Sequence, residues 1–541
     1  MLSASPLQNA SLALLFAGLY FTVRAYRRLR RSSLPPGPSG LPIVGNIYDI
    51  PATNEWLAFM EMSRKYDSDV IALNLMGDTM IVLNSVTAIN DLLEDRSLIY
   101  SDRPPFPTLN DLVGFTWHFA FMPYGPEWKE RRKVFMQQFQ PSQVLLHRPA
   151  ELKAGHVLLQ RLLESPEKYE RHLRHMAGMV ILSTAYGINI QPEDDPHIAI
   201  SETALHAMAC TGNRGSFWVD SFPILKYVPE FLPGSGFKQK AREWARAVTA
   251  MPKVPYEFVK RSRAAGMANS SIASRVLDDI EESGANQDER EKVLEDVLAA
   301  CYAAGADTTV SALASFILAM TMFPEIQKKA QAAVDEVVGP NRLPDFEDNI
   351  PYVDAVAREL LRWRPVFPLS VPHAVTADDV YKGYHIPAGA VVVGNSWAVL
   401  HDEKIYGPNT DRFIPERWLT ESGEINKAIR EPDTAFGFGR RICPGKDMAQ
   451  WSLWICVASI LAAFNITKGV DENGVPLEPS GEYTSGLLCW LGGLQVGSSR
   501  AKIATEWRNY LINVIYTEKR AGQRIWVNLT LIIGLSKVYY T

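Results

Sequence analysis

From Leu7 to Val23 the chain is apolar apart from Gln8, Asn9, Ser11 and Thr22, and Arg24, Arg27, Arg28, Arg30 and Arg31 follow at once. A cleavable leader carries its positive charge ahead of the apolar run, so this order predicts a single-pass membrane anchor over 1–31 with a cytosolic basic stop. A run this short suits a thin bilayer such as that of the endoplasmic reticulum. Leu34-Pro35-Pro36-Gly37-Pro38 then locks φ and lacks amide donors, which predicts a stiff hinge over 32–48 that holds the body above the membrane. Helix-like spacing dominates residues 120–360, while strand-like runs cluster at 69–83 and 371–400. The expected fold is mainly α with a small segregated β-sheet, in one domain over 49–486. A long apolar helix is expected over Val293–Met320, either a second membrane span or the central beam of the core. Its middle, Ala304-Gly305-Ala306-Asp307-Thr308-Thr309, places a glycine and a carboxylate where neither favours a helix, so something must lie against it and use them.

Composition narrows the function classes. With 55 basic and 60 acidic residues and 47% hydrophobic positions, the chain is neither disordered nor a polybasic nucleic-acid binder. Its five cysteines lie far apart with no CxxC pair, which suits a reducing compartment and leaves a single cysteine free to act as a nucleophile or metal ligand. No GxGxxG stands in a strand–turn–helix context, so the chain has no nicotinamide or flavin module of its own.

Four signatures carry chemistry. In Phe436-Gly-Phe-Gly439-Arg440-Arg441-Ile442-Cys443-Pro444-Gly445, glycines let the backbone fold around one sulfur and turn amide donors toward it, which favours thiolate. Glu359-Leu-Leu-Arg362 shares a helix face, and Arg417 in Pro415-Glu-Arg-Trp418 could complete a buried triad. Trp128 and Arg132, four residues apart, present an indole N–H and a guanidinium on one face, a match for a carboxylate. The fourth is the mid-helix segment with Asp307 and Thr308.

Together these motifs resemble the cytochrome P-450 family of haem-thiolate monooxygenases, in its membrane-anchored microsomal form and most like basidiomycete fungal members, from the anchor to about Gly486. The resemblance implies that Cys443 is the axial ligand of a haem b iron, that Trp128, Arg132, Arg441 and His373 meet the haem propionates, and that Glu359, Arg362 and Arg417 form a structural triad. It also implies that Asp307 and Thr308 relay protons during O–O cleavage, with Gly305 leaving room for dioxygen. Electrons are expected from a separate NADPH-dependent flavoprotein reductase, with cytochrome b5 as an alternative donor, docking on a basic face of Lys129, Arg131, Lys133, Arg440 and Lys446. Phe106, Phe115, Phe119, Ala304, Val366, Phe367 and Leu369 are expected to wall an apolar pocket for a small lipophilic substrate of aromatic, terpenoid or steroid type, with Phe217–Phe222 in its lid. The alternatives are a haem-thiolate isomerase or dehydratase that needs no reductase, and a catalytically inactive haem-binding protein. Residues 487–541 depart from the family pattern and are expected to form an atypical tail, as a mis-spliced gene model would give.

Overall fold

The computed structural model describes residues 34–499 except 213–216, 232, 233, 470, 472, 474, 485, 490 and 492–495. The predicted anchor and the chain beyond residue 499 lie outside the described residues.

The fold is built around one helix, Gln287–Met322, which starts six residues before the expected Val293. Among the described residues it is the one helix long and apolar enough to cross a membrane, yet 72% of its most apolar window is buried by protein. It is the central beam. Alanine and serine at Ala299, Ala300, Ser311, Ala312, Ala314, Ser315 and Ala319 keep its surface small, so neighbouring helices pack close on several sides. Those neighbours include Pro126–Phe139, Tyr169–Tyr186 and Lys446–Ala463.

The strands segregate as their sequence clusters predict. β1 (Val70–Leu75), β2 (Asp78–Leu83), β3 (His373–Ala374) and β6 (Val391–Gly394) form a four-stranded sheet in the order β1-β2-β6-β3. β2 pairs parallel with β6, Met80 opposite Val391, and the other two ladders are antiparallel. β4 (Asp379–Tyr381) and β5 (Tyr384–Ile386) make a hairpin, and β7 (Asn465–Lys468) pairs antiparallel with β8 (Val496–Ser499).

Two expectations change here. The proline-rich hinge is not a free spacer. The Ala72 amide donates to the Pro36 carbonyl at 3.0 Å, and a Cβ on Gly37 would stand 2.0 Å from the Ala72 carbonyl oxygen, so this segment lies flat along β1. The buried Asn46 fastens the turn by accepting from the Asn74 amide and donating to the Pro38 carbonyl. Nor does the fold stop at Gly486. Leu487, Cys489 and Leu491 are buried, Ser311 Oγ of the central helix donates to the Cys489 carbonyl at 2.7 Å, and β8 lies further on.

Candidate active site

The cysteine loop is held by its glycines. Gly439 has φ of 53° and its Cβ would fall 2.0 Å from the Leu93 carbonyl oxygen, so no larger residue fits there. Phe438 packs against Gly394 of β6, where an added Cβ would also collide, at 2.4 Å. The Cys443 amide donates to the Phe436 carbonyl at 2.8 Å, closing the loop just ahead of the helix Lys446–Ala463. Burial pushes the Cys443 thiol up, while the Gly445 amide, Arg132 and Lys446 pull it down. Those last three are the influences a thiolate ligand needs.

Beside this loop, guanidinium groups converge with little to neutralise them. Arg441 is buried, lies 4.4 Å from the Trp128 ring centroid, and donates to the carbonyls of Ser101, Phe119 and Met122. Burial and the neighbouring Arg132 push it down to about 9 against the pull of Asp102. Arg103, which the motifs did not single out, is buried on the carbonyls of Ala120, Val371 and Pro372. Asp102 faces both Arg103 and Arg441, and burial lowers Arg132, which faces Cys443. Among the described residues Arg103 and Arg441 thus share one carboxylate, and Arg132 faces the Cys443 sulfur. A prosthetic group with two carboxylates and a thiolate-seeking metal fits that donor set.

His373 fits it differently from expectation. Its Nδ1 lies 2.7 Å from the Tyr100 carbonyl, so Nδ1 carries the hydrogen and Nε2 is an acceptor. Burial, Arg103 and Arg441 hold the ring well below its usual range and keep it neutral. With Nδ1 committed to Tyr100, Nε2 is the ring nitrogen left to meet a propionate, and it donates there only as the imidazolium that a facing carboxylate favours.

Glu359 is the hub of the expected triad and is fully buried. It takes a bidentate pair from Arg362 at 2.8 Å and 2.8 Å, Arg417 Nε at 3.1 Å, Trp418 Nε1 at 2.9 Å and the Ile414 amide at 2.8 Å. Arg362 also donates to the carbonyls of Leu400, Thr410 and Arg412, which ties the helix Pro351–Trp363 to the meander before the cysteine loop.

On the central helix, Ala304 is exposed in an otherwise buried stretch, and Asp307 and Thr308 are half-buried beside it. Cys301 is pushed up to about 12, by burial and then by the charge of Cys443, which places this stretch opposite the cysteine loop. Burial raises Asp307 to about 7, with Arg174 pulling it down and Glu202 pushing it up. Thr308 Oγ1 donates to the Ala304 carbonyl at 2.8 Å, a bond back into its own helix that leaves its lone pairs as acceptors. Gly305 is explained by packing: a Cβ there would lie 2.4 Å from Ile181 Cγ1 of the helix Tyr169–Tyr186.

The expected pocket walls divide. Phe106 and Phe115 are enclosed by core, edge-on to Phe121 and tilted on Trp117 at 5.5 Å each, and so front no open space. Phe119 is buried edge-on to Phe135. Val366 and Phe367 are half-buried against the core of the central helix, whereas Leu369 packs toward Trp56 and Trp397. Arg131 also leaves its expected face: it turns inward to Asp296 of the central helix at 2.8 Å, while Lys129 and Lys133 stay exposed.

A family model described as cytochrome P-450 matches residues 35–481. The chain belongs to the cytochrome P-450 family. Tryptamine 4-monooxygenase of Psilocybe cyanescens is 40% identical over 482 residues, which cover 88% of this chain and 94% of that protein. A cytochrome P-450 monooxygenase of Armillaria gallica is 43% identical over 465 residues, covering 85% and 90%. One from Rhodocybe pseudopiperita is 42% identical over 478 residues, covering 87% and 90%. This P-450 is accordingly an oxidoreductase of a family that works with haem iron, and its similar relatives are named monooxygenases of basidiomycete fungi.

Proposed function

We propose that this P-450 inserts one oxygen atom of O2 into a small lipophilic substrate, with haem b on Cys443 and electrons from NADPH through a separate flavoprotein reductase. The observation that carries the reading is a set of three buried guanidinium groups: Arg132, which faces Cys443, and Arg103 and Arg441, which share Asp102 as their one facing carboxylate. When bound, the haem supplies the oxygen-activating and oxygen-inserting chemistry.

The remaining work falls to the chain. Arg132 and Arg441 would hold the carboxylates of the prosthetic group, Arg132 and Lys446 stabilise negative charge on Cys443, and the Gly445 amide donates toward its sulfur. Asp307 keeps a proton on its carboxyl near neutral pH and exchanges it on the side of Arg174 and Glu202. Thr308 Oγ1, its hydrogen on the Ala304 carbonyl, accepts from the open side of the helix and passes a proton on by rotation. Exposed Ala304 with half-buried Val366 and Phe367 offers an apolar surface to the substrate.

We place the enzyme on the endoplasmic reticulum with its body in the cytosol. Support comes from the sequence of residues 1–31 and from Trp218, Ile224, Tyr227 and Phe231, which are 67%, 74%, 73% and 85% exposed on one segment. Lys129, Lys133 and Arg440 remain on the surface for an acidic redox partner, without Arg131.

The first test is the carbon monoxide difference spectrum of the reduced, purified protein. A red-shifted Soret band that is lost in Cys443→Ser is expected. A blue-shifted band in the parent protein would overturn the ligand assignment, and no NADPH consumption with added reductase and screened substrates would overturn the monooxygenase reading.

A further inference from the structure

We propose that a cavity lined separately from the cysteine loop is a binding site for small aromatic carboxylates, with Arg364 and Trp56 as its anion-recognising donors. The cavity has a volume of about 380 Å³, and its wall includes Trp56, Leu57, Arg364, Pro368, Trp397 and Tyr483. No residue of the cysteine loop and none of Ala304–Thr309 contributes to it. It lies between the helix Glu55–Lys65, the end of the helix Pro351–Trp363 and the chain around Tyr483 and Cys489.

Arg364 is hemmed in by aromatic rings. Its guanidinium carbon lies 4.8, 5.2 and 5.4 Å from the ring centroids of Trp363, Trp397 and Tyr483. Stacking of this kind engages the faces of the guanidinium and leaves its in-plane N–H groups to find acceptors elsewhere. Here they find none: Nε is buried without a partner, and Arg364 makes no side-chain hydrogen bond or ion pair among the described residues. Two positions earlier, Arg362 satisfies the same chemistry with five hydrogen bonds. Glu482 also lines the cavity but is exposed and forms no ion pair with Arg364. Burial and the neighbouring Arg362 hold the Arg364 guanidinium below its usual range, as befits a cation that lacks a counter-ion.

The second donor is Trp56. It is 3% exposed, its ring centroid is 5.7 Å from that of Trp397, and its Nε1 is buried with no acceptor. Buried donors without acceptors are rare enough that each asks for a partner. Two of them on the wall of one aromatic cavity call for a ligand that brings acceptor oxygens and a flat apolar body. A carboxylate matches the guanidinium fork and can also accept from the indole, whereas an amine matches neither.

The test titrates the full-length holoenzyme with 2-naphthoate, followed by tryptophan fluorescence and calorimetry while the Soret band is recorded. Saturable binding with an unshifted Soret band is expected. Arg364→Gln should weaken it by about tenfold to a hundredfold and Trp56→Phe by about fivefold. The uncharged 2-naphthylmethanol should bind at least about tenfold more weakly than the acid. Equal affinity in Arg364→Gln and the parent, equal affinity for the alcohol, or no saturable binding at millimolar naphthoate would overturn the proposal. The carbon monoxide spectrum reports whether each variant is folded. Should Arg364→Gln fail to fold, Trp56→Phe decides alone, because it removes the indole N–H and keeps an aromatic side chain there; unchanged affinity in that variant overturns the site.

Discussion

Asp307 holds its proton up to about pH 7 because burial against the central helix penalises the carboxylate more than Arg174 relieves it. The carboxyl can therefore donate below that value and loses the capacity as pH rises through it. Product formation should fall above pH 7 in the parent protein. In Asp307→Asn it should be lower by about a hundredfold and should lose that limb, as a pH–rate profile will show. Glu151 behaves similarly for a different reason: it is buried, its Oε2 has no partner, and Ser452 at 2.6 Å and Arg148 do not offset the burial that lifts it to about 7. Folded Glu151 thus keeps a proton that the unfolded chain, with a carboxyl near 4.5, has already released. Its contribution to stability is complete below the unfolded value and is lost as pH rises through 7. Glu151→Gln should flatten the decline of Tm between pH 4.5 and pH 7, measured by differential scanning calorimetry. Asp307 stands out in sequence as a carboxylate in an apolar helix, whereas Glu151 announces nothing of its environment. The Cys443 loop and the Glu359–Arg362 pair are legible because each is contained within one loop or one helical turn. Arg103 is not, because its acceptors at Ala120, Val371 and Pro372 come from two distant segments.

Among the elements, the central helix shows how the same residue can be noticed for one reason and needed for another. Its length and apolar character are plain from spacing, but the alternative of a membrane span is settled by its neighbours, which bury it. Gly305 breaks helix propensity, so it attracts a functional reading, yet the atom that excludes a side chain there is Ile181 Cγ1 at 2.4 Å. Gly305→Ala should cost about 1–3 kcal/mol from overpacking. Combined with Ile181→Ala it should cost less than the two single changes together, a coupling that a double-mutant cycle in denaturant will measure. Phe106 and Phe115 make the converse point. A run of aromatic residues before the Trp128 helix looks like a pocket wall, whereas tertiary packing assigns these two to the interior. Periodicity identifies an apolar face but not what lies opposite it.

At the scale of the molecule, charge and apolar surface are distributed unevenly. The segment carrying Trp218, Ile224, Tyr227 and Phe231 exposes large side chains that a surface facing only water rarely clusters. A protein lacking residues 1–31 should keep part of its affinity for phospholipid vesicles, and Trp218→Ser with Phe231→Ser should remove most of it in a flotation assay. The run of arginines over 24–31 and the acidic overall balance are evident from the sequence; this exposed apolar patch is not, since exposure depends on the whole fold.

The parallel ladder between β2 and β6 also bears on how the enzyme is made. Residue 80 cannot meet its partner at 391 until most of the chain has left the ribosome, and Cys443 follows later still. At about 5–20 residues per second the open edge of β2 waits on the order of tens of seconds. For most of that interval Trp128 and Arg132 are already synthesised, but the Cys443 loop does not yet exist. Assembly of the Cys443 loop is thereby tied to the end of translation, and a nascent chain stalled before β6 presents an unpaired strand edge to chaperones instead of a half-built enzyme.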